Sequence, residues 1–199
     1  EAVNTIVKLD DGKLVGHNTD YFGFQSMANR TGVNFRSKKV LILGSGGASN
    51  TVCAVMKELG AEVVIVSRNG ENNYNNLHLH ADCRVIVNAT PVGMYPNTGI
   101  SPIDLSLFPN LECVMDLIYN PAKTKLLLDA EALGIRIENG LWMLVAQAKE
   151  SAELFSSHKI DNKEIQRIYD ILKKQMENII LIGMPGSGKS TVGKLLAAK

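Results

Sequence analysis

The run Lys39-Val40-Leu41-Ile42-Leu43-Gly44-Ser45-Gly46-Gly47-Ala48-Ser49 constrains the fold more than any other part of this 199-residue sequence. An apolar, β-rich stretch leads straight into a glycine turn, and residues 50–60 then read as a helix. Strand, turn and helix in that order open a βαβ unit able to cradle a nucleotide phosphate. Gly44 permits the sharp turn off the strand, and Gly46 has no Cβ to hold a pyrophosphate away from the backbone. The helix start that follows offers free N–H groups and the positive end of a dipole. Ser49 stands where a third glycine is conventional, and it is small enough for close helix–strand packing. Taken alone, the turn suits a dinucleotide, another ligand or plain packing.

Composition narrows the class. With 45% hydrophobic and 21% charged residues and a net charge of +1, the chain reads as an ordinary globular protein of one domain or slightly more. That balance gives no electrostatic case for nucleic acid or an anionic membrane. No apolar run approaches the roughly 20 residues of a membrane span, no signal peptide is visible, and a cytoplasmic location is expected. Cys53, Cys83 and Cys113 are odd in number and each lies in or beside an apolar run, which predicts buried free thiols. The chain opens on Glu1 inside an apparent motif and stops at Lys199 in a helix just begun, so a segment of a longer protein is expected.

Short apolar runs at 3–9 and 14–16 flank Asp10-Asp11-Gly12-Lys13, a hairpin signal. Asn18, Thr19 and Asp20 all suit a helix N-cap, and a helix is predicted over 21–31 with Gly32 at its end. Further strands are predicted at 62–66, 84–88, 112–117 and 135–138, and helices at 123–133, 141–156 and 163–176. Residues 69–80 are Asn-rich and predict a loop with at most a turn or two of helix; 89–109 predict a long, functional loop punctuated by prolines and glycines. Strands alternating with helices imply an α/β fold, a doubly wound parallel sheet. His78, His80 and Cys83 lack the spacing of a zinc site and read as a solvated loop; Trp142 reads as core or interface.

A second glycine turn closes the sequence. A strand is predicted over 178–182, followed by Gly183-Met184-Pro185-Gly186-Ser187-Gly188-Lys189-Ser190-Thr191, which fits G-x-x-x-x-G-K-S. In a P-loop, backbone N–H groups cradle ATP phosphates, the lysine (Lys189) reaches the β/γ pair, and the following hydroxyl (Ser190) is placed for Mg²⁺.

The first turn points to a dinucleotide of one kind. An NAD site carries a carboxylate about 20 residues after the first glycine. Here the second strand ends in Ser67-Arg68-Asn69, with no Asp or Glu, and a guanidinium suits the additional 2′-phosphate of NADP.

The polar clusters resemble shikimate dehydrogenases in consecutive blocks over residues 1 to about 175. Ala2-Val3-Asn4-Thr5 is similar to G-A-x-N-T, and residues 16–24 to G-x-N-T-D-x-x-G-F. Gly44 to Ala48 matches the glycine loop, and Ser67-Arg68-Asn69 stands where N-R-T is common. Residues 88–94 match N-A-T-P-x-G-M, residues 116–124 match D-x-x-Y-x-P-x-x-T, and residues 140–147 match G-x-x-M-L-x-x-Q. The resemblance implies a Rossmann-like fold and reversible, NADPH-dependent reduction of 3-dehydroshikimate to shikimate. It implies that Asn4, Asp20, Tyr119 and Gln147 hold the substrate, with Asp20 also the acidic half of a Lys–Asp catalytic pair. It places Gly44, Ser45, Gly46, Gly47, Ala48, Ser67, Arg68, Asn69, Thr90, Leu117, Gly140 and Met143 at NADP. Lys8 and Lys13 do not occupy the motif of the paired lysine, so little or no reduction is expected from these residues alone.

Residues 176–199 resemble the start of shikimate kinase, whose ATP phosphates would meet Gly183, Gly186, Ser187, Gly188, Lys189, Ser190 and Thr191, with Mg²⁺ at Ser190. The expected organisation is the end of a truncated substrate-binding domain (1–16), an NADP-binding domain with C-terminal helices (17–175) and a truncated P-loop kinase start (176–199). Three alternatives stay open: a quinate/shikimate dehydrogenase using NAD, a non-catalytic nucleotide-binding module, or a scaffold for the kinase. Among bland readings, Asn18-Thr19-Asp20 is a helix cap only, Gln147 an exposed helix residue, Tyr119 a core residue, and Arg68 a surface residue.

Overall fold

The structure, a computed structural model, describes residues 2–176 and 181–197. Strands β1 (Thr5–Lys8) and β2 (Leu14–His17) form an antiparallel hairpin, closed by Gly12 at φ 84°. Helix α1 (Thr19–Arg30) follows and ends at Gly32, whose φ of 66° stops the helix. Next come β3 (Lys39–Leu43), α2 (Gly47–Glu58), β4 (Glu62–Val66), β5 (Val85–Asn88), β6 (Cys113–Asp116), α3 (Lys125–Ala132), β7 (Arg136–Glu138), α4 (Leu141–Ser156), α5 (Lys163–Met176) and α6 (Lys189–Ala197).

Five strands form one parallel sheet in the order β4-β3-β5-β6-β7. Alternate side chains explain why the central strands are apolar throughout. Val40, Ile42, Val85, Val87 and Met115 face α1, α2 and α4, while Leu41, Leu43, Ile86 and Val114 face α3 and the loop residues Ile103 and Phe108. The chain leaves β3 for β4 on one side, then crosses to β5 on the other. That reversal opens a crevice at the carboxyl ends of β3 and β5.

The differences from expectation are local. Helix α2 starts at Gly47, three residues earlier than predicted, which puts Ser49 inside its first turn. Helix α3 starts late because the Thr124 hydroxyl caps it, accepting the Leu127 N–H at 3.4 Å. The 89–109 loop contains a short 3-10 turn at Leu105–Leu107. The strand predicted over 178–182 lies mostly outside the described residues, and Leu181 and Ile182 are not in a strand. Cys83 and Cys113 are buried free thiols, which burial pushes up to about 11 and about 12, whereas Cys53 is partly exposed. Among the described residues no helix is long and apolar enough to cross a membrane.

Candidate nucleotide and substrate site

The crevice begins at Gly44. Its φ is 107°, and a Cβ there would stand 3.0 Å from the Ala89 carbonyl oxygen, so glycine alone fits. Its N–H donates to the Val66 carbonyl at 2.8 Å, tying the turn to the end of β4. Gly46 and Gly47 face open space: a Cβ on either would meet nothing within 4 Å. Helix α2 has Gly46 at its N-cap, with neither a capping side chain nor an acidic residue in the first turn. Its first N–H groups are therefore available to an anion, and the loop Gly44, Ser45, Gly46, Gly47, Ala48 fits a pyrophosphate. The buried Ser49 hydroxyl donates to the Gly44 carbonyl at 2.6 Å and closes the loop from below. A serine in the third glycine position was readable as small, not as a tie.

Beside the loop, Ala48, Thr90, Leu117 and the half-exposed Tyr119 line one cleft of about 310 Å³. Tyr119 is therefore not a core residue. Gly140 abuts this wall from the start of α4: its N–H donates to the Ile118 carbonyl at 3.1 Å, and a Cβ would collide with Leu117. Gly140, Met143 and Gln147 lie on one face of α4 by their spacing. Further along that face Gly23 of α1 packs directly on Met143 and Gln147, where a Cβ would stand 2.8 Å from the Met143 carbonyl oxygen.

Asn4, Thr19 and Gln147 meet beneath the hairpin. Asn4 Oδ1 accepts the Thr19 N–H at 2.9 Å, and the Thr19 hydroxyl lies 3.1 Å from Asn4 Oδ1, 3.3 Å from Gln147 Oε1 and 2.9 Å from Ser151 Oγ. Thr19 has one hydroxyl proton, so it serves one acceptor at a time while accepting from Ser151. Thr5 adds a further hydroxyl 3.0 Å from Ser151. The Asn4 side chain also acts on the Asp20 carboxyl, the next residue after Thr19. Burial raises the Asp20 carboxyl above its ordinary value, and the Asn4 amide partly offsets this. Asn18 holds the N-cap position but does not cap: its amide donates to Thr51 at 3.0 Å on α2. The cap-only reading of Asn18-Thr19-Asp20 is thus corrected; the segment ties α1 to the hairpin, α2 and α4. Gln147 is half-buried, with Nε2 donating to the Leu144 carbonyl at 3.0 Å, rather than an exposed helix residue. Tyr119 has no hydrogen bond to this cluster among the described residues, so the four expected substrate residues fall on two walls.

Ser67, Arg68 and Asn69 leave the end of β4, next to Gly44. The Asn-rich stretch after them is ordered by its own amides: Asn76 Oδ1 accepts the Asn73 N–H at 2.8 Å, and Asn73 Nδ2 donates to the Gly70 carbonyl at 3.2 Å. Arg68 is exposed, and its charge acts on the half-buried Tyr74 hydroxyl. His80 pairs with Asn72 Oδ1 at 3.0 Å, while Cys83 donates to the Val85 carbonyl. Trp142 is half-buried and donates from Nε1 to Ser26 at 2.8 Å.

Asn88 and Asp116, both fully buried, are missed as site residues by sequence reading; their mutual bond at 3.0 Å joins the ends of β5 and β6. A larger cleft of about 610 Å³ is lined by Arg30, Glu138, Tyr169 and Lys173 and by none of the residues predicted for the site.

In the described stretch 181–197, Gly186 and Gly188 have φ of 79° and 81°, and Ser187 and Ser190 flank the helix start. Lys189 Nζ folds back to donate to the Gly183 and Met184 carbonyls, each at 2.7 Å. Thr191 N–H donates to the Gly188 carbonyl at 3.0 Å, within the first turn of α6.

No family model matches the sequence. Over 186 residues the chain is 34% identical to the shikimate dehydrogenase (NADP(+)) of Clostridium perfringens, covering 86% of this chain and 68% of that protein. It superposes on the chorismate mutase/shikimate 5-dehydrogenase fusion protein of Clostridium acetobutylicum with a TM-score of 0.82 at 34% identity, covering 89% of this chain and 69% of the other. With the Thermus thermophilus shikimate 5-dehydrogenase, solved in complex with NADP(H) and shikimate, the TM-score is 0.74 at 30% identity, over 85% of this chain and 68% of that one. The chain belongs to the shikimate dehydrogenase family.

Proposed function

We propose that this chain carries the NADP site and one wall of the substrate site of a shikimate dehydrogenase, interconverting 3-dehydroshikimate and shikimate. The observation that carries the reading is the Thr19-centred cluster, which sets Asn4 and Gln147 beside Asp20 on the same α1–α4 frame that holds Gly140 and Met143. When bound, the nicotinamide cofactor supplies or accepts the hydride. Gly44 to Ala48 and the bare start of α2 hold its pyrophosphate, Arg68 with Ser67 and Asn69 its 2′-phosphate side, and Thr90, Leu117, Gly140 and Met143 its nicotinamide half. Asn4 Nδ2 and one Asp20 oxygen bind substrate hydroxyls, and Gln147 and Tyr119 close on the ring from the two walls. Negative charge growing on the reduced oxygen needs a proton and a positive partner. In the family resemblance that partner is a lysine oriented by Asp20, and Lys8 and Lys13 do not stand in its motif. Residues 1–16 then belong with a substrate domain and 17–175 with the cofactor domain.

Titration of the chain with NADPH, followed by cofactor fluorescence, tests the cofactor half. Saturable binding that Gly46→Val abolishes supports the reading; no binding overturns it. Shikimate binding to the NADP-loaded chain, weakened by Asn4→Ala, tests the substrate half.

A second reading concerns residues 176–199, supported by the G-x-x-x-x-G-K-S motif, the positive φ of Gly186 and Gly188, and helix α6. We infer that this segment begins a shikimate kinase unit fused to the dehydrogenase. Gly183, Gly186, Ser187, Gly188, Lys189, Ser190 and Thr191 would hold ATP phosphates, and Ser190 would face Mg²⁺. ATP- and shikimate-dependent ADP release by the full reading frame, lost in Lys189→Ala, tests it. ADP release insensitive to shikimate would overturn it.

A further inference from the structure

We propose that Asp116 is a positioning residue that holds both walls of the nicotinamide cleft at once; the inference rests on the cofactor reading above. The carboxylate is fully buried at the end of β6 and is not itself a lining residue of the cleft. Its Oδ1 accepts Asn88 Nδ2 at 3.0 Å and the Ile118 N–H at 3.0 Å, and its Oδ2 accepts the Thr124 hydroxyl at 2.7 Å. Asn88 passes the constraint on: its Oδ1 accepts the Thr90 N–H at 3.1 Å and the Thr90 hydroxyl at 2.7 Å. Thr90 in turn accepts the Val92 N–H at 3.2 Å.

One side chain thus fixes the loop that carries Thr90, the loop that carries Leu117 and Tyr119, and the N-cap of α3. The second loop also receives the start of α4, through the Gly140 N–H on the Ile118 carbonyl. A burial this complete costs a carboxyl heavily unless its oxygens are satisfied, and burial does push Asp116 above its ordinary value. Three donors converging from three segments offset that cost only when all three segments are in place. Loop geometry and carboxylate burial are therefore coupled.

The test uses the full chain and two readouts, NADPH affinity and hydrogen exchange at the Thr90, Val92 and Ile118 amides. Asp116→Ala should weaken NADPH roughly tenfold and speed exchange at all three amides, the order expected when buried hydrogen-bonding groups of the cleft walls lose their partner. Asp116→Asn keeps Oδ1 and offers an N–H to the Thr124 oxygen, so it should restore affinity to within roughly threefold. Asn88→Ala should speed exchange at Thr90 and Val92 and spare Ile118. A folded Asp116→Ala variant with wild-type affinity and exchange would overturn the proposal. If that variant does not fold, Asn88→Ala decides, and unchanged exchange at Thr90 contradicts the proposal. If the wild-type chain binds no NADPH, the cofactor reading fails, and the exchange pattern still tests the coupling.

Discussion

A Cβ on Gly140 would stand 1.9 Å from the carbonyl oxygen of Leu117, and the Gly140 N–H donates to the next carbonyl, Ile118, at 3.1 Å. The start of α4 is thus pressed onto the end of β6, and this contact fixes where Met143 and Gln147 fall along the α1–α4 seam. Gly140→Ala must push the two backbones apart. Overpacking of this kind costs about 1–3 kcal/mol, and the cleft should deform with it. A lowered melting temperature together with weakened NADPH binding is the expected pair. Unchanged stability would show that the helix start is free to move.

Thr19, a residue only 2% exposed, joins Asn4, Gln147 and Ser151 through its hydroxyl. Thr19→Val keeps the shape and removes the polar hub, leaving Gln147 Oε1 without its donor and Asn4 and Ser151 with one partner fewer each. A loss of about 1–3 kcal/mol is expected, the cost of unsatisfied buried groups. Urea unfolding measures it, and Thr19→Ser should recover most of the loss.

Glu153 ties the end of α4 to the turn before α5. It accepts the Ile160 N–H at 2.6 Å and pairs with Lys149 at 2.9 Å and Lys159 at 3.1 Å. The Ile160 N–H, then Lys149, hold its carboxyl down to about 2, against an ordinary value of 4.5. A depressed carboxyl contributes stability that is fully present above pH 4.5 and is lost as pH falls toward about 2. Thermal melts across that window should therefore fall more steeply for the wild type than for Glu153→Gln. Parallel curves would mean that the clamp contributes nothing to acid stability.

Much of the fold is legible in the sequence because its strands are short apolar runs bounded by glycines and polar residues. Lys39–Leu43 and Glu62–Val66 were predicted residue for residue, as were α4 and α5. The glycine turn is legible for a similar reason: a positive φ and the close Ala89 carbonyl leave little choice of residue at Gly44. Boundaries set by side-chain caps were less so, as Thr124 shows. The hubs lie inside the matched motifs, but their role as hubs was not legible. Thr19 meets partners 128 and 132 positions away, and Asn88 meets Asp116 across 28. No local pattern marks a threonine or an aspartate as the point where segments converge. The ordering of residues 69–76 by their own asparagines likewise looks, in sequence, like a polar loop.

In the proposed reading, Arg68 carries the choice of cofactor. It stands exposed at the end of β4, where no carboxylate is present to hold ribose hydroxyls. A charge-assisted bond to a 2′-phosphate contributes about 1.5–3 kcal/mol, roughly ten- to a hundredfold in affinity. Parallel titrations of the wild-type chain and Arg68→Ala with NADPH and NADH test the account most directly. It predicts that the wild type prefers NADPH by at least about tenfold and that Arg68→Ala removes this preference by weakening NADPH alone. Equal or tighter binding of NADH by the wild type, or a preference that survives the loss of Arg68, would contradict it.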